Sequence, residues 1–264
     1  MSVLIVIPAR YASSRFPAKP LAPLTGVTGL KKTLIQRSWE AAKLVSNVDK
    51  VVVATDDDRI RGHVEDFGGE VVMTSSEHRN GTERCAEVAD KFPDFKVFVN
   101  FQGDAPLTPP WFITALIEGL DLSPDAAMAT PVLRTRPETL AKFQDDRRND
   151  RVGGTTVVVD NDSHAIYFSK EVLPHTPIGF GNGGLPVFHH VGAYAYRRDG
   201  LKNYMSFEET ELEKREGLEQ LRFIVNRQLV RCVEVEDRGQ EFWELNNPED
   251  VDRIEHILKV QGIE

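Results

Sequence analysis

Short apolar, β-branched runs alternate with amphipathic stretches through the first half of this chain. VLIVI (3–7), KVVVAT (50–55), EVVMT (70–74), KVFVNF (96–101) and AAMATPVL (126–133) read as five strands with few polar interruptions. Between them the spacing is helical. Leu34 to Val45 puts Ile35, Trp39 and Ala42 on one face. Asp56–Asp58 open a helix through Val64 and Phe67, TERCAEVADKF (82–92) forms another, and Pro109 and Pro110 start WFITALIEGL. Continuous apolar strands alternating with helices predict a mostly parallel sheet covered on both faces. In such sheets ligands sit at the carboxyl ends of strands, here the loops that begin at Pro8, Asp56, Thr74 and Gln102.

After about residue 150 the pattern changes. TTVVVD (155–160) and HAIYFS (164–169) predict a hairpin about Asn161–Asp162, and GFGNGGLP (179–186) a flexible loop. HHVGAYAYR (189–197) predicts a third short strand. Glu211–Arg222 is expected to be mostly helical, LVRCVEV (229–235) a strand, and Pro248–Val260 a terminal helix whose start is capped by Asn247. There is no linker and no internal repeat. One α/β domain with an embedded antiparallel lobe is expected, its mostly parallel part over about 1–135 and the lobe over about 150–225.

Composition narrows the chemistry. The 264 residues carry 32 Lys and Arg against 41 Asp and Glu, a formal charge of -9, which disfavours nucleic acid as a partner. Two cysteines far apart, Cys85 and Cys232, make neither a disulfide framework nor a zinc site and suit a reduced cytoplasmic setting. No apolar run is long enough to cross a membrane. On so acidic a chain, the cations Arg10, Arg15 and Lys19 in one proline-stiffened loop after the first strand point to a small anionic ligand, although a solvated basic loop has the same composition. G-x-G-x-x-G and G-x-x-x-x-G-K-[ST] are both absent, which disfavours a dinucleotide fold and a P-loop. In FQGDAP (101–106), Gly103 permits a tight turn and Asp104 projects at the rim, either to hold Mg²⁺ on nucleotide phosphates or to cap the next helix. Asp57 and Asp58 read as helix-capping, and HRNGTER (78–84) as an N-capped helix that also supplies Arg79 and Arg84. His189 and His190, adjacent on a strand, point to opposite faces, so only one can face a given pocket.

IPARYASSRFPAKPL, VVVATDDD, HRNGTERCAEV and VNFQGDAPL, in that order and spacing, closely resemble the 3-deoxy-manno-octulosonate (Kdo) cytidylyltransferase family, as do AIYFSKEVLP, HHVGAYAYR, ELEKREGLEQLRF and NNPEDVDRI. The resemblance implies a nucleotide-diphospho-sugar transferase (Rossmann-like) fold in one domain over 1–264, with a nucleotide-binding part over about 1–135 and a lobe for acid binding and dimerisation over about 150–225. It implies Mg²⁺-dependent transfer of CMP from CTP to a sugar acid with release of pyrophosphate, in lipopolysaccharide biosynthesis, by a cytoplasmic homodimer. It also implies residue roles. Arg10, Ser13, Arg15 and Lys19 would hold the triphosphate, with Pro8, Ala9 and Ser14 in the same nucleotide-binding loop. Ala54, Thr55 and Asp56 would flank the nucleotide, and Thr82, Glu83 and Arg84 would line its pocket. Gln102 would be central, Asp104 would bind the metal with Asn246 as a second ligand, and Arg10, Lys19 and Asp104 would carry the catalysis. Gln102, His190, Tyr194, Glu219 and Gln220 would face the acid.

Four positions depart from the family. Ala105 stands where a carboxylate is usual, and Asn246 where the second metal ligand is usually Asp. Gly153, Gly154 and Thr155 stand where the family usually has an N-P-N-x-V-K stretch, and LPHTPIG lacks an Arg often found after the I-P element. The nucleotide half of the pattern is nearly intact and the acid half eroded. The acceptor therefore stays open between Kdo, 8-amino-Kdo, another sugar acid and a phosphonate. A homologue that binds the nucleotide without turnover is the alternative of a different class.

Overall fold

Five consecutive apolar residues make β1 (Val3–Ala9), and Val3 to Ile7 are at most 1% exposed. Burying each such side chain is worth about 1.5–3 kcal/mol, so β1 anchors everything around it. The computed structural model describes residues 1–12, 16–151, 154–176, 186–241 and 243–264. These fall into two compact units: Met1–Thr114 with Asp237–Glu264, and Ala115–Glu236.

In the first unit a small hairpin, β2 (Pro23–Thr25) and β3 (Lys31–Thr33), leads into α1 (Leu34–Lys43). Then come β4 (Lys50–Thr55), α2 (Asp58–Asp66), β5 (Val71–Met73), α3 (Gly81–Lys91), β6 (Val97–Asn100) and the first residues of α4 (Pro110–Asp121), which continues past Thr114 into the second unit. The strands run parallel in the order β5-β4-β1-β6. Pro8 pairs with Ala54 and Ala9 with Thr55, so β1 and β4 finish level and their loops leave side by side. Helix starts follow the sequence signals. Asp57 Oδ1 accepts from Arg59 N–H at 2.9 Å to begin α2, with Asp58 in its first turn. Asn80 Oδ1 accepts from Glu83 N–H at 2.9 Å to begin α3. The hairpin is not predicted by the pattern; its three-residue strands are too short to show a period.

The second unit holds β7 (Ala126–Arg134), α5 (Pro137–Arg148), β8 (Thr155–Val159), β9 (Ala165–Ser169), β10 (Phe188–His190), β11 (Tyr194–Arg197), α6 (Arg198–Ser206), α7 (Glu211–Glu216), α8 (Leu221–Val225) and β12 (Leu229–Glu234). β8 and β9 form the expected antiparallel hairpin, and β12 lies parallel to β7. The stretch 189–197 is not one strand but two. His190 lies opposite Val132 and Ala195 opposite Ala129, so residues 191–194 face only 130 and 131. Pro131 has no N–H to give the ladder, and the chain bulges there. Thr130 Oγ1 offers a substitute, 2.9 Å from Ala193 O.

Two further expectations are corrected. The helix expected over 211–222 breaks at Gly217, whose φ of 63° is left-handed, and resumes as α8. The last helix, α9 (Asp250–Val260) of the first unit, starts two residues after Pro248. Asn247 is not its cap. Instead the Asp250 carboxylate accepts from the N–H groups of Asn246 (2.9 Å) and Asn247 (2.7 Å). α9 packs Ile254, Ile257 and Leu258 with Leu24, Leu34, Leu107 and Leu245 in one apolar cluster. The stretch expected as a flexible loop, 179–186, lies outside the described residues except for Pro186. The architecture is α/β, with helix-connected parallel strands and the small β2–β3 hairpin in the first unit, and in the second antiparallel strands beside the parallel β7–β12 pair.

Candidate active site

The loops leaving β1, β5 and β6 enclose a cavity of about 310 Å³ in the first unit. Pro8, Ala9, Arg10 and Lys19 come from the first loop, His78 to Gly81 and Arg84 from the second, and Gln102 to Asp104 from the third. Gly103 makes that convergence possible. A Cβ there would stand 2.5 Å from the Pro8 carbonyl oxygen, so only glycine lets the loop after β6 lie against β1. The Gly103 carbonyl is pinned from the other side by Ser38 Oγ of α1, at 3.0 Å.

Four cations and one carboxylate face this space. Lys19 Nζ lies 2.5 Å from Asp104 Oδ2, a pair mostly shielded from solvent. Arg84 is buried, donates to Thr74 Oγ1 and lies 3.2 Å from Asp56. Burial lowers its pKa, Asp56 and Glu87 pull the other way, and Arg10 adds repulsion; a guanidinium nonetheless stays charged. Arg79 is engaged by Glu83, at 2.5 Å. Arg10 is exposed and its side chain has no ion-pair partner among the described residues. Such a wall suits an anion of several charges: each exposed or partly paired cation offers charge-assisted hydrogen bonds, roughly twice as strong as neutral ones.

The residues expected to bind nucleotide divide in three. Pro8, Ala9, Arg10, Lys19, Arg84, Gln102 and Asp104 meet at the cavity. Ala54, Thr55 and Thr82 are buried, with Asp56 and Glu83 behind them holding Arg84 and Arg79. These five support the wall rather than form it. Ser13, Ser14 and Arg15 lie outside the described residues. Sequence reasoning missed His78, Asn80 and Gly81 as lining residues. The signal available was their place in the loop after a parallel strand, a position already marked by Thr74.

Asn246 does not line the cavity, but its neighbour Leu245 donates its N–H to the Asp104 carbonyl at 2.8 Å, which ties this segment to Asp104. Leu245 is buried in the apolar cluster, while Asn246 and Glu244 share the other face, Nδ2 to Oε2 3.4 Å. Among the described residues no three His, Cys, Asp or Glu side chains cluster as a metal cage. One rim carboxylate is a donor Mg²⁺ accepts when nucleotide phosphates and water complete its shell. The residues therefore fit a metal that arrives with its nucleotide.

In the second unit His190 is buried, with Nε2 2.9 Å from Thr130 Oγ1 and its ring against Phe168 and Tyr194. Burial, with a smaller push from His189, lowers its pKa to about 3, so it is neutral at physiological pH. His189 points the opposite way, against Phe143. Gly154 is fixed by the same packing: a Cβ there would lie 2.7 Å from the Phe143 ring. Tyr194 hydroxyl donates to Gln220 Oε1 at 3.4 Å, and Gln220 Nε2 is buried with no hydrogen-bond partner among the described residues. Glu219 is partly buried beside it in sequence.

Comparison with known proteins gives this arrangement a context. The sequence model of the cytidylyltransferase family matches residues 4–232. The 3-deoxy-manno-octulosonate cytidylyltransferase of Maricaulis maris is 44% identical over 99% of both chains, and the mitochondrial one of Arabidopsis thaliana 39% identical over 99% of this chain and 84% of its own. A solved CMP:2-keto-3-deoxy-manno-octonic acid synthetase, complexed with CTP, superposes with a TM-score of 0.86 at 32% identity, covering 99% of this chain and 100% of the other. A cytidylyltransferase from Leptospira borgpetersenii shares the fold at a TM-score of 0.60 and 16% identity, covering 97% of this chain and 85% of its own. A nucleotidyltransferase by fold and sequence alike, the chain belongs to the 3-deoxy-manno-octulosonate cytidylyltransferase family.

Proposed function

We propose that the protein transfers CMP from CTP to the anomeric hydroxyl of Kdo, in a Mg²⁺-dependent reaction that releases pyrophosphate. The observation that carries this reading is the cavity at the ends of β1, β5 and β6, which Arg10, Lys19, Arg79 and Arg84 line together with Asp104. The names of the relatives support the choice of CTP and of the acid.

The reaction is an in-line displacement. The anomeric oxygen forms a bond to the α-phosphorus and gives up its proton to water, the bond from that phosphorus to the β-phosphate's bridging oxygen breaks, and pyrophosphate leaves with the electron pair. Negative charge grows on the leaving group, and preorganised cations are the protein's means of stabilising it. Lys19 and Arg10 are placed to do so, and Arg84, locked by Thr74 and Asp56, keeps its charge in one position. Asp104, with Asn246, would hold the metal. A bound divalent cation supplies Lewis-acid neutralisation of the phosphate oxygens. On binding, Lys19 exchanges its contact with Asp104 for phosphate, so neither charge is left unpaired. In the second unit, Gln220 Nε2 offers a buried donor to the acid, whereas a neutral His190 contributes shape and a fixed hydrogen bond rather than charge.

A pyrophosphate-release assay with CTP, Mg²⁺ and a panel of Kdo, 8-amino-Kdo, sialic acids and phosphonates tests this. Release with Kdo supports the reading. Release only with another acid moves the acceptor, and CTP binding without release from any acid overturns catalysis in favour of a nucleotide-binding role.

A further inference from the structure

One carboxylate behind the cavity wall organises the loop that sequence reasoning overlooked. Glu87 sits on α3 two turns below its start and reaches back to the 75–78 loop. Its Oε2 accepts from Ser75 N–H at 2.8 Å and lies 2.5 Å from His78 Nε2. Its Oε1 lies 2.8 Å from Lys91 Nζ, which also donates to the Met73 carbonyl at the end of β5. Burial alone would raise this carboxyl's pKa, but the hydrogen bonds from Lys91, Ser75 and His78 outweigh it and hold it near 2. Glu87 is therefore an obligate acceptor, and the hydrogen it meets on His78 must be on Nε2. That fixes both the ring's orientation and the nitrogen, Nδ1, left for other contacts. His78 lines the cavity; Glu87 does not.

We infer that Glu87 is a positioning residue for nucleotide binding, acting through His78, which it holds against the cavity as part of the CTP-contacting wall. The inference rests on the reading of the cavity as the CTP site. A glutamine at position 87 is nearly the same size but offers one oxygen and an amide, so it cannot accept from Ser75, His78 and Lys91 together. Its oxygen can still accept from Ser75 and His78, but as a neutral group, so the loop loses a charged acceptor rather than a packing contact. Bonds to a charged acceptor are the stronger kind, and the effect expected is on affinity for nucleotide, not on the chemical step.

The test is a double-mutant cycle with Glu87→Gln, His78→Ala and the pair, reading CTP affinity by calorimetry and KM and kcat by pyrophosphate release. Each single change is expected to weaken CTP binding about tenfold with kcat within about twofold, and the pair to be no more than about twofold worse than His78→Ala alone. Lys91→Met, which removes a partner of Glu87 while leaving His78 held, is expected to bind CTP nearly as the wild type does. Thermal midpoints identify any variant that fails to fold; Glu87→Asp, one methylene too short to span Ser75, His78 and Lys91, then replaces Glu87→Gln in the cycle, with the same expectation. Unchanged CTP affinity in a folded Glu87 variant, or fully additive losses in the pair, overturns the inference. Wild-type protein that does not bind CTP overturns the underlying reading instead.

Discussion

At the scale of single residues, the Lys19–Asp104 pair makes the sharpest claim. Each side chain serves as the other's counter-charge until substrate arrives. Asp104→Asn should therefore separate two functions. Turnover with Mg²⁺ should fall by about 10²–10³ or more, the size of effect seen when preorganised charge is removed from a reacting centre. Binding of metal-free CTP should hold or tighten, because a negative charge has left the cavity and Lys19 is released. Lys19→Met should weaken CTP binding with or without metal. Steady-state rates and calorimetry with and without a chelator check all three.

A second residue-scale expectation concerns pH. His190 is buried and His189 half-buried, and desolvation lowers their pKa values to about 3 and about 4 against an ordinary 6.5. The unfolded chain therefore binds more protons below pH 6.5 than the fold does, and stability falls as pH drops from about 6.5 toward 4. His190→Asn should flatten that slope by about one proton, ~1.4 kcal/mol per pH unit at most. Denaturant midpoints measured from pH 7 to 4 test it; an unchanged slope would show that His190 titrates normally.

At the scale of elements, strands and helices of the first unit were legible because each announces its period and its ends. β1, β4, α2 and α3 carry apolar runs or capping residues that act locally. The places where expectation failed depend on partners elsewhere in the chain. The split of 188–197 into β10 and β11 is caused by Pro131 on a different strand, and the start of α9 by the reach of Asp250 back to Asn246 and Asn247. Gly103 belongs to the same class: its necessity comes from the Pro8 carbonyl, nearly a hundred residues away. Gly103→Ala should cost about 1–3 kcal/mol of stability, the usual range for overpacking. It should reduce turnover by more than that loss explains, since relief of the clash moves Asp104 away from β1. A denaturant midpoint and a rate measured on the same variant distinguish this from simple destabilisation.

At the scale of the molecule, the candidate nucleotide site was legible to the extent that it is built from consecutive residues on one loop. Arg10 and Lys19, with Gln102 and Asp104, stand at strand ends where any parallel sheet places ligands. Composition could not have shown that Asp56 and Glu83 would spend their charge on Arg84 and Arg79. Nor could it have shown that Glu87 would reach back to His78, since such pairings exist only once β5 and α3 have packed. The residues expected to face the acid were suggested by resemblance alone, and their burial in the second unit explains why no period or charge pattern pointed to them: His190 and Gln220 look like core positions of a strand and a helix turn.

The central claim is that the phosphates of CTP lie among Arg10, Lys19 and Asp104 at the ends of β1 and β6. The most direct measurement is the electron density of a crystal grown with CTP and Mg²⁺. The account predicts a triphosphate in this cavity, with Lys19 turned from Asp104 to phosphate and a cation at the Asp104 carboxylate. A nucleotide ordered elsewhere, with the Lys19–Asp104 pair intact and the cavity holding only solvent, would contradict it.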